Sequence, residues 1–366
     1  MSAQTVPQSL PPEASAQKPF FHTPYIVSKT YDWCLFLGPP LASLMLGIFV
    51  ASISGITTIN DDFELWGEDH SIKGILLGTL IHAHLVIVFA RSHGNNAIFQ
   101  THPFRFALAP ILLLYGMLSS DWIFAIVSVL ATFWDVYHSG LQTFGFARIY
   151  DARAGNPPDQ GRRLDLWLNQ LLYAGPILAG ATMLDHFGDF ETDFGAIDSP
   201  TAEMFTRIPA WMEGHQGYFT WTILIGGTLF LIYYIMEYRR LWQNGAPISM
   251  QKVYLLASTG FCSIITWGFN TWDEAFLIMN VFHAVQYFGI VWNAEKRTLQ
   301  KTLRVDGWRY GKAVALATLL VFAFAYGGAV ELSNSDNQAW VALTLVVSIM
   351  HFWYDGFIWS VRRKQV

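Results

Sequence analysis

The chain has 366 residues, 53% of them hydrophobic, 16% aromatic and only 13% charged, with a formal net charge of −5. Soluble domains carry about 25% charged residues, so the composition excludes an ordinary soluble domain and predicts an all-α, polytopic membrane helix bundle. There is no glycine-rich phosphate loop, nucleotide fingerprint or CxxC pair, and no nucleic-acid partner is expected.

Residues 1–30 are polar and proline-rich and lack the apolar core of a cleavable signal, so they read as an N-terminal tail. Residues 31–366 read as a single transmembrane domain. A spanning helix needs about 20 mostly apolar residues. That rule predicts about ten: Asp32–Ile56, bent at Pro39-Pro40; Ile72–Ser92; the shorter Phe104–Ser119; Asp121–Tyr150; Leu164–Leu184; Gly217–Met236; Lys252–Phe269; Asp273–Asn293; Lys312–Val330; and Ala339–Val361. The connection Asp185–Gln216 reads as a solvated loop, a lid or a short amphipathic helix. Cys34 and Cys262 lie in apolar segments and are expected to be buried packing residues, without a disulfide.

With the N-terminus in the cytoplasm, 20 of the 22 Lys and Arg residues fall on one side. Only Lys73 and Arg207 remain opposite, where the connections are acidic. This positive-inside pattern predicts both termini in the cytoplasm, an even number of spans and a multi-pass protein of the inner (plasma) membrane.

Polar groups inside the spans point to function, because burying them in lipid is costly. The stretch FWDVYHSGLQTFGFARIYDAR carries Asp135, His138 and Gln142. Related phrases follow at His283 (HAVQYFGIVWNAEK) and His351 (HFWYDGFIWSVRRK), and Ile72–Ser92 adds His82 and His84. Counted back from the first cytoplasmic basic residue, these imidazoles all lie roughly 10–20 Å inside the boundary. His82, His84, His138, His283 and His351, with Asp355 and Asp135, match the ligand set of a non-haem metal site, iron or zinc. Gln142 and Gln286 are expected to orient the rings from outside. His82 and His84 point about 200° apart on one helix, so one of them is expected to stand outside the first ring of ligands. His93, Asn95, Asn96 and His102 read as a polar cytoplasmic mouth or a solvated loop, and His22 and His70 as surface residues. Interhelical hydrogen bonds, a proton path and haem ligation remain alternative uses of the same layer.

One histidine per helix, with HAVQYFG at His283 and HFWYDGF at His351, resembles the Brp/Blh-type carotene dioxygenases, integral-membrane non-haem iron enzymes. The Pro-His-Gly typical of those proteins near the first helix is replaced here by GPPLASL from Gly38. HxxxH and HxxHH boxes of fatty-acid desaturases are absent. The resemblance covers short motifs and implies a carotenoid substrate. The histidine layer itself reads as an iron-dependent oxygenase, desaturase or hydroxylase acting on a lipid-soluble substrate, with an electron-donor protein as an expected partner. A haem- or quinone-binding electron carrier and a proton-coupled transporter are the alternatives.

Overall fold

The computed structural model describes residues 21–53, 62–65, 68–180, 215–270, 272–333 and 337–359. Their regular structure is helical apart from four short strands: β1 (Phe21–His22), β2 (Asp62–Leu65), β3 (Glu68–Ser71) and β4 (Ile248–Ser249). The helices in chain order are α1 (Lys29–Asp32), running into a π-helical turn at Trp33–Leu37, α2 (Pro39–Ile53), α3 (Ile72–Val86), α4 (Val88–Ser92), α5 (Asn96–Phe99), α6 (Pro103–Ser119) and α7 (Asp121–Arg153). There follow α8 (Arg162–Tyr173), α9 (Gly175–Gly180), α10 (Gln216–Gln243), α11 (Met250–Phe269), α12 (Trp272–Thr302), α13 (Gly311–Glu331) and α14 (Gln338–Ile358). Side-chain oxygens start several of them where a cap is expected: Ser71, Ser120, Ser249 and Asn337 accept from Gly74, Ile123, Lys252 and Trp340 N–H groups.

Among the described residues six helices are long and apolar enough to cross a membrane, and a seventh span results if the bent pair Lys29–Leu37 and Pro39–Ser52 counts as one. Three of the ten expected segments fall short. Phe104–Ser119 forms α6, of 17 residues. Leu164–Leu184 forms α8 and α9, and continues beyond the described residues. Lys252–Phe269 forms α11, of 20 residues, whose buried face carries Ser258, Thr259, Ser263 and Thr266 and so lowers its hydropathy. The connection Asp185–Gln216 lies outside the described residues except at its last two positions.

The bend expected at Pro39-Pro40 is a break of 52°. Gly38 N–H donates back five residues to the Trp33 carbonyl at 2.9 Å, closing a π turn. Pro40 has no N–H, so the Phe36 carbonyl lacks its helical donor. Gln286 Nε2 takes that place at 2.7 Å, fastening the broken helix to α12.

The described structure begins at residue 21, within the expected tail 1–30. Phe21 and His22 pair in parallel with Ile248 and Ser249. The buried Asp32 carboxylate collects the N–H groups of Ile26 (2.6 Å), Val27 (3.0 Å) and Ser28 (3.2 Å) and the Tyr150 hydroxyl (2.9 Å). Residues 21–30 therefore belong to the fold, while 1–20 lie outside the described residues. The expectation for the cysteines is corrected in part: both are free, Cys262 is buried, and Cys34 is exposed on the π turn.

Contacts between helix ends give the directions of the chain. The start of α14 meets the start of α7 through Gln338 and Asp121. The ends of α4 and α14 and the later part of α12 meet at Arg91, Ile358 and Glu295. Thus α3–α4, α7, α12 and α14 run the same way. Around them, α13 packs on α3, α6 on α7 and α14, and α11 on α7 and α8. Gly327 of α13 lies so close to α3 that a Cβ there would stand 2.2 Å from the Thr79 carbonyl and 2.9 Å from Ala83 N. This close backbone approach, typical of membrane helix pairs, sets the position of α3 one residue before His84.

Candidate metal centre

Four imidazoles, one from each of the four parallel helices, meet inside the bundle. His84, His283 and His351 are wholly buried and His138 almost so. Their ring centres are 4.9 Å apart for His84–His283, 5.0 Å for His283–His138, 4.8 Å for His138–His351 and 5.1 Å for His351–His84, with 6.3 Å across from His283 to His351. A metal bound by an imidazole nitrogen at about 2.1 Å lies roughly 3 Å from the ring centre, so four rings on one ion stand roughly 4.5–6.5 Å apart. Ligand atoms of His84, His283 and His351 lie within 4.8 Å of one another, as do those of His138, His351 and Asp355.

The hydrogen bonds set the state of the rings. His351 Nδ1 lies 3.1 Å from the Leu85 carbonyl, where α3 gives way to α4. A carbonyl only accepts, so Nδ1 carries the proton and Nε2 presents its lone pair inward. That Nε2 is 3.1 Å from His138 Nε2. Two nitrogens on one ion at about 2.1 Å stand about 3.0–3.4 Å apart, and a single proton shared between the rings gives the same spacing. The other two rings bear on the choice. Among the described residues neither nitrogen of His283 has a hydrogen-bond partner, and His84 lies beside the Ile81 carbonyl without a well-formed bond to either nitrogen. Orphaned nitrogens on two fully buried imidazoles are costly; a cation among the four rings would satisfy one nitrogen of each.

Asp355 completes the set. Its Oδ1 accepts from Tyr287 OH at 2.8 Å and from Trp359 Nε1 at 2.9 Å. Its Oδ2 faces His138 Nε2 at 3.6 Å. Trp359 is itself held from behind by the Arg91 guanidinium, 3.9 Å from its ring centre. Arg91 bonds Glu295 Oε1 at 2.6 Å and the Ile358 carbonyl at 3.0 Å, and Asn95 Nδ2 bonds the other Glu295 oxygen at 2.9 Å. Tyr287 also lies against His351, with ring centres 4.4 Å apart.

Beside His138 and Asp355 opens a cavity of about 250 Å³. Leu141, Phe144, Phe146, Ile149, Ile290 and Phe352 make its walls apolar; Gln142, Tyr287 and Trp359 add polar edges, and Arg162 lies at its rim. Gly145 and Gly356 line it as well, and a Cβ at either would meet nothing within 4 Å.

Of the residues singled out from the sequence, His84, His138, His283, His351 and Asp355 come together. His82 does not: its Nδ1 lies 2.7 Å from Glu331 Oε1 on α13 and 3.1 Å from the Gly78 carbonyl. Asp135 is buried apart from the cluster and accepts from Asn280 Nδ2 at 3.1 Å. Gln142 and Gln286 do not touch a ring nitrogen, contrary to expectation. Gln142 Nε2 donates to the His283 carbonyl (3.0 Å) and to Gln286 Oε1 (3.1 Å), and Gln286 donates to Phe36. They fix the backbone of α12 rather than an imidazole. His93 is bonded to Ser92 Oγ and the Phe106 carbonyl, a packed position rather than part of an open mouth.

Tyr287, Trp359, Arg91, Glu295 and Arg162 were not singled out from the sequence as part of a site. Two of them had a readable signal: Tyr287 follows His283 by four residues and Trp359 follows Asp355 by four, one helical turn in each case. The rest depend on which helices meet. Compared with protein-family models, curated proteins and solved structures, the chain matches none.

Proposed function

We propose that this is a membrane-bound, metal-dependent oxidoreductase, an oxygenase, desaturase or hydroxylase, that acts on a lipid-soluble substrate at a non-haem iron. The observation that carries the reading is the convergence of four buried imidazoles and one carboxylate, with orphaned ring nitrogens, at the inner end of an apolar cavity. Imidazole with a carboxylate suits iron or zinc. Four imidazoles this close leave no plane for a porphyrin between any two of them, which argues against haem. His84, His138, His283 and His351 would hold iron, which would supply redox chemistry toward dioxygen. Asp355 Oδ2 faces the same point and the cavity, where it can ligate or receive a proton from substrate. The apolar walls exclude water from the reacting carbon and orient it.

A proton relay is the second reading, supported by the 3.1 Å contact between His138 and His351 and by Asp355 beside them. Metal analysis of purified protein separates the two. The oxidoreductase reading expects one equivalent of iron per chain and an absorption spectrum without a Soret band. Zinc in place of iron, or metal-free protein, removes it. The cavity is tested by Gly356→Leu, which fills open space beside Asp355. This variant is expected to keep its metal and lose turnover.

We also propose ten crossings with both termini in the cytoplasm. The parallel run of α3–α4, α7, α12 and α14 supports it: between successive members the chain must return, by α6, by α13, and by the three passes α8–α9, α10 and α11. The charge asymmetry assigns the ends that carry Arg91, Arg148 and Glu295 to the cytoplasm.

A further inference from the structure

The arginines around the centre are used differently. Arg148 is half of a buried network, bonded to Asp165, to Asp151 (2.7 Å) and to the carbonyls of Pro158 and Gln160. Lys252 joins it through Asp151 (3.1 Å) and Asp165, and Tyr234 and Tyr238 donate to Asp165. Arg91 is paired with Glu295. Arg162 begins α8 at the same end of the bundle. It is exposed, lines the rim of the cavity and has no carboxylate partner among the described residues. Its guanidinium lies 5.5 Å from the centre of the Phe144 ring, which also lines the cavity. A guanidinium held on an aromatic wall keeps its fork of donors free for an anion.

One charge at the rim, an apolar wall, and a metal-ligand cluster at the inner end define a ligand with a matching order of parts. We propose that the cavity binds a long-chain carboxylic acid, its carboxylate on Arg162 and its chain passing Phe144, Phe146 and Ile149 toward His138 and Asp355. This rests on the reading of the cavity as the substrate site. The carboxylate fork matches guanidinium bidentately, and the charge stays at the membrane surface while the chain is buried. Binding energy gained at the head then fixes which carbon reaches the centre.

The test is equilibrium binding of radiolabelled hexadecanoic acid and hexadecan-1-ol to the detergent-solubilised full-length protein at pH 8, with phosphatidic acid as competitor. The wild-type protein is expected to prefer the acid by at least about tenfold. Arg162→Gln removes that preference and leaves alcohol binding and metal content unchanged. Arg163→Gln, an exposed neighbour that does not line the cavity, changes none of them. Equal binding of acid and alcohol, an unaltered preference in Arg162→Gln, or tighter binding of phosphatidic acid than of the free acid overturns the proposal. Metal content and acid preference are read separately. Iron without acid preference sinks only the ligand class; acid preference on metal-free protein sinks only the oxidoreductase.

Discussion

At the scale of single residues, chemistry is sorted by which oxygen or nitrogen is left over. Asp355 Oδ1 is saturated by two donors, so Oδ2 is the atom free to act on His138 or a bound ion. Removing one donor should loosen that aim without removing the charge. Tyr287→Phe and Trp359→Phe are each expected to lower iron affinity about 10–100-fold, the range of ligand-positioning changes around metals. Asp355→Asn should do at least as much, and Asp135→Asn should do little, since Asn280 is its partner outside the cluster. Iron retention after competition with a chelator measures all four; a larger loss in Asp135→Asn than in Asp355→Asn assigns the wrong carboxylate. His138→Ala, His283→Ala and His351→Ala should lose most of the iron, and His82→Ala should keep it. The depth of the histidines was legible in the sequence because each could be counted from a basic residue at the helix end. The choice between His82 and His84 was not. The opposite faces of α3 were evident, but the face that meets α13 is set by Gly327 and Glu331, some 245 positions away in sequence as measured by Gly327 − His82. For the same reason Gln142 was misread: its spacing from His138 placed it on the right face, but its partner is a backbone carbonyl of another helix.

At the scale of elements, the centre depends on two devices that hold helices rather than ligands. One is the broken first span. Pro40 removes a donor and Gln286 replaces it, so the break that a proline pair announces in sequence is also an anchor for α12 one turn beyond His283. The other is the close approach of α13 to α3. Gly327, Ala323 and Ala83 let the backbones meet, and this is why His84 sits on the axis of the four-helix core. Gly327→Leu cannot be absorbed by a side-chain movement, since the atoms in its way are backbone. Overpacking of this kind costs about 1–3 kcal/mol or more. The expected result is a lower Tm and a loss of iron together, whereas Gly356→Leu, which faces open space, should leave Tm within a degree or two of wild type. If Gly327→Leu keeps both Tm and iron, the helix contact does not position His84. Long apolar periodicities made the helices readable. The shorter α6, α8 and α9 were less so, because their burial is supplied by neighbouring helices rather than by their own hydropathy.

At the scale of the whole molecule, the question is direction. Parallel histidine helices joined by returning ones imply that every loop alternates sides. The cytoplasmic assignment then predicts where each described end is accessible. Asn244, after α10, is exposed near the network of Arg148, Asp165 and Lys252, and Gln338, at the start of α14, is exposed beside Asp121. The first should face the cytoplasm and the second the opposite side. Cys34 is exposed and must be changed to Ser before labelling, while buried Cys262 can remain. In the Cys34→Ser background, Asn244→Cys should react with a membrane-impermeant maleimide only after the membrane is opened, and Gln338→Cys should react in intact cells. The charge distribution supports this order, because the ends beside Asn244 carry Arg239 and Arg240 and the ends beside Gln338 carry none within the same span of chain. Labelling of both from outside would require an even number of crossings between the end of α10 and the start of α14, where α11, α12 and α13 make three, and the count of ten would fail. Labelling in the reverse order would invert the molecule. The cavity rim at Arg162 would then open to the outer face, and a reductant for the iron would have to reach it from there.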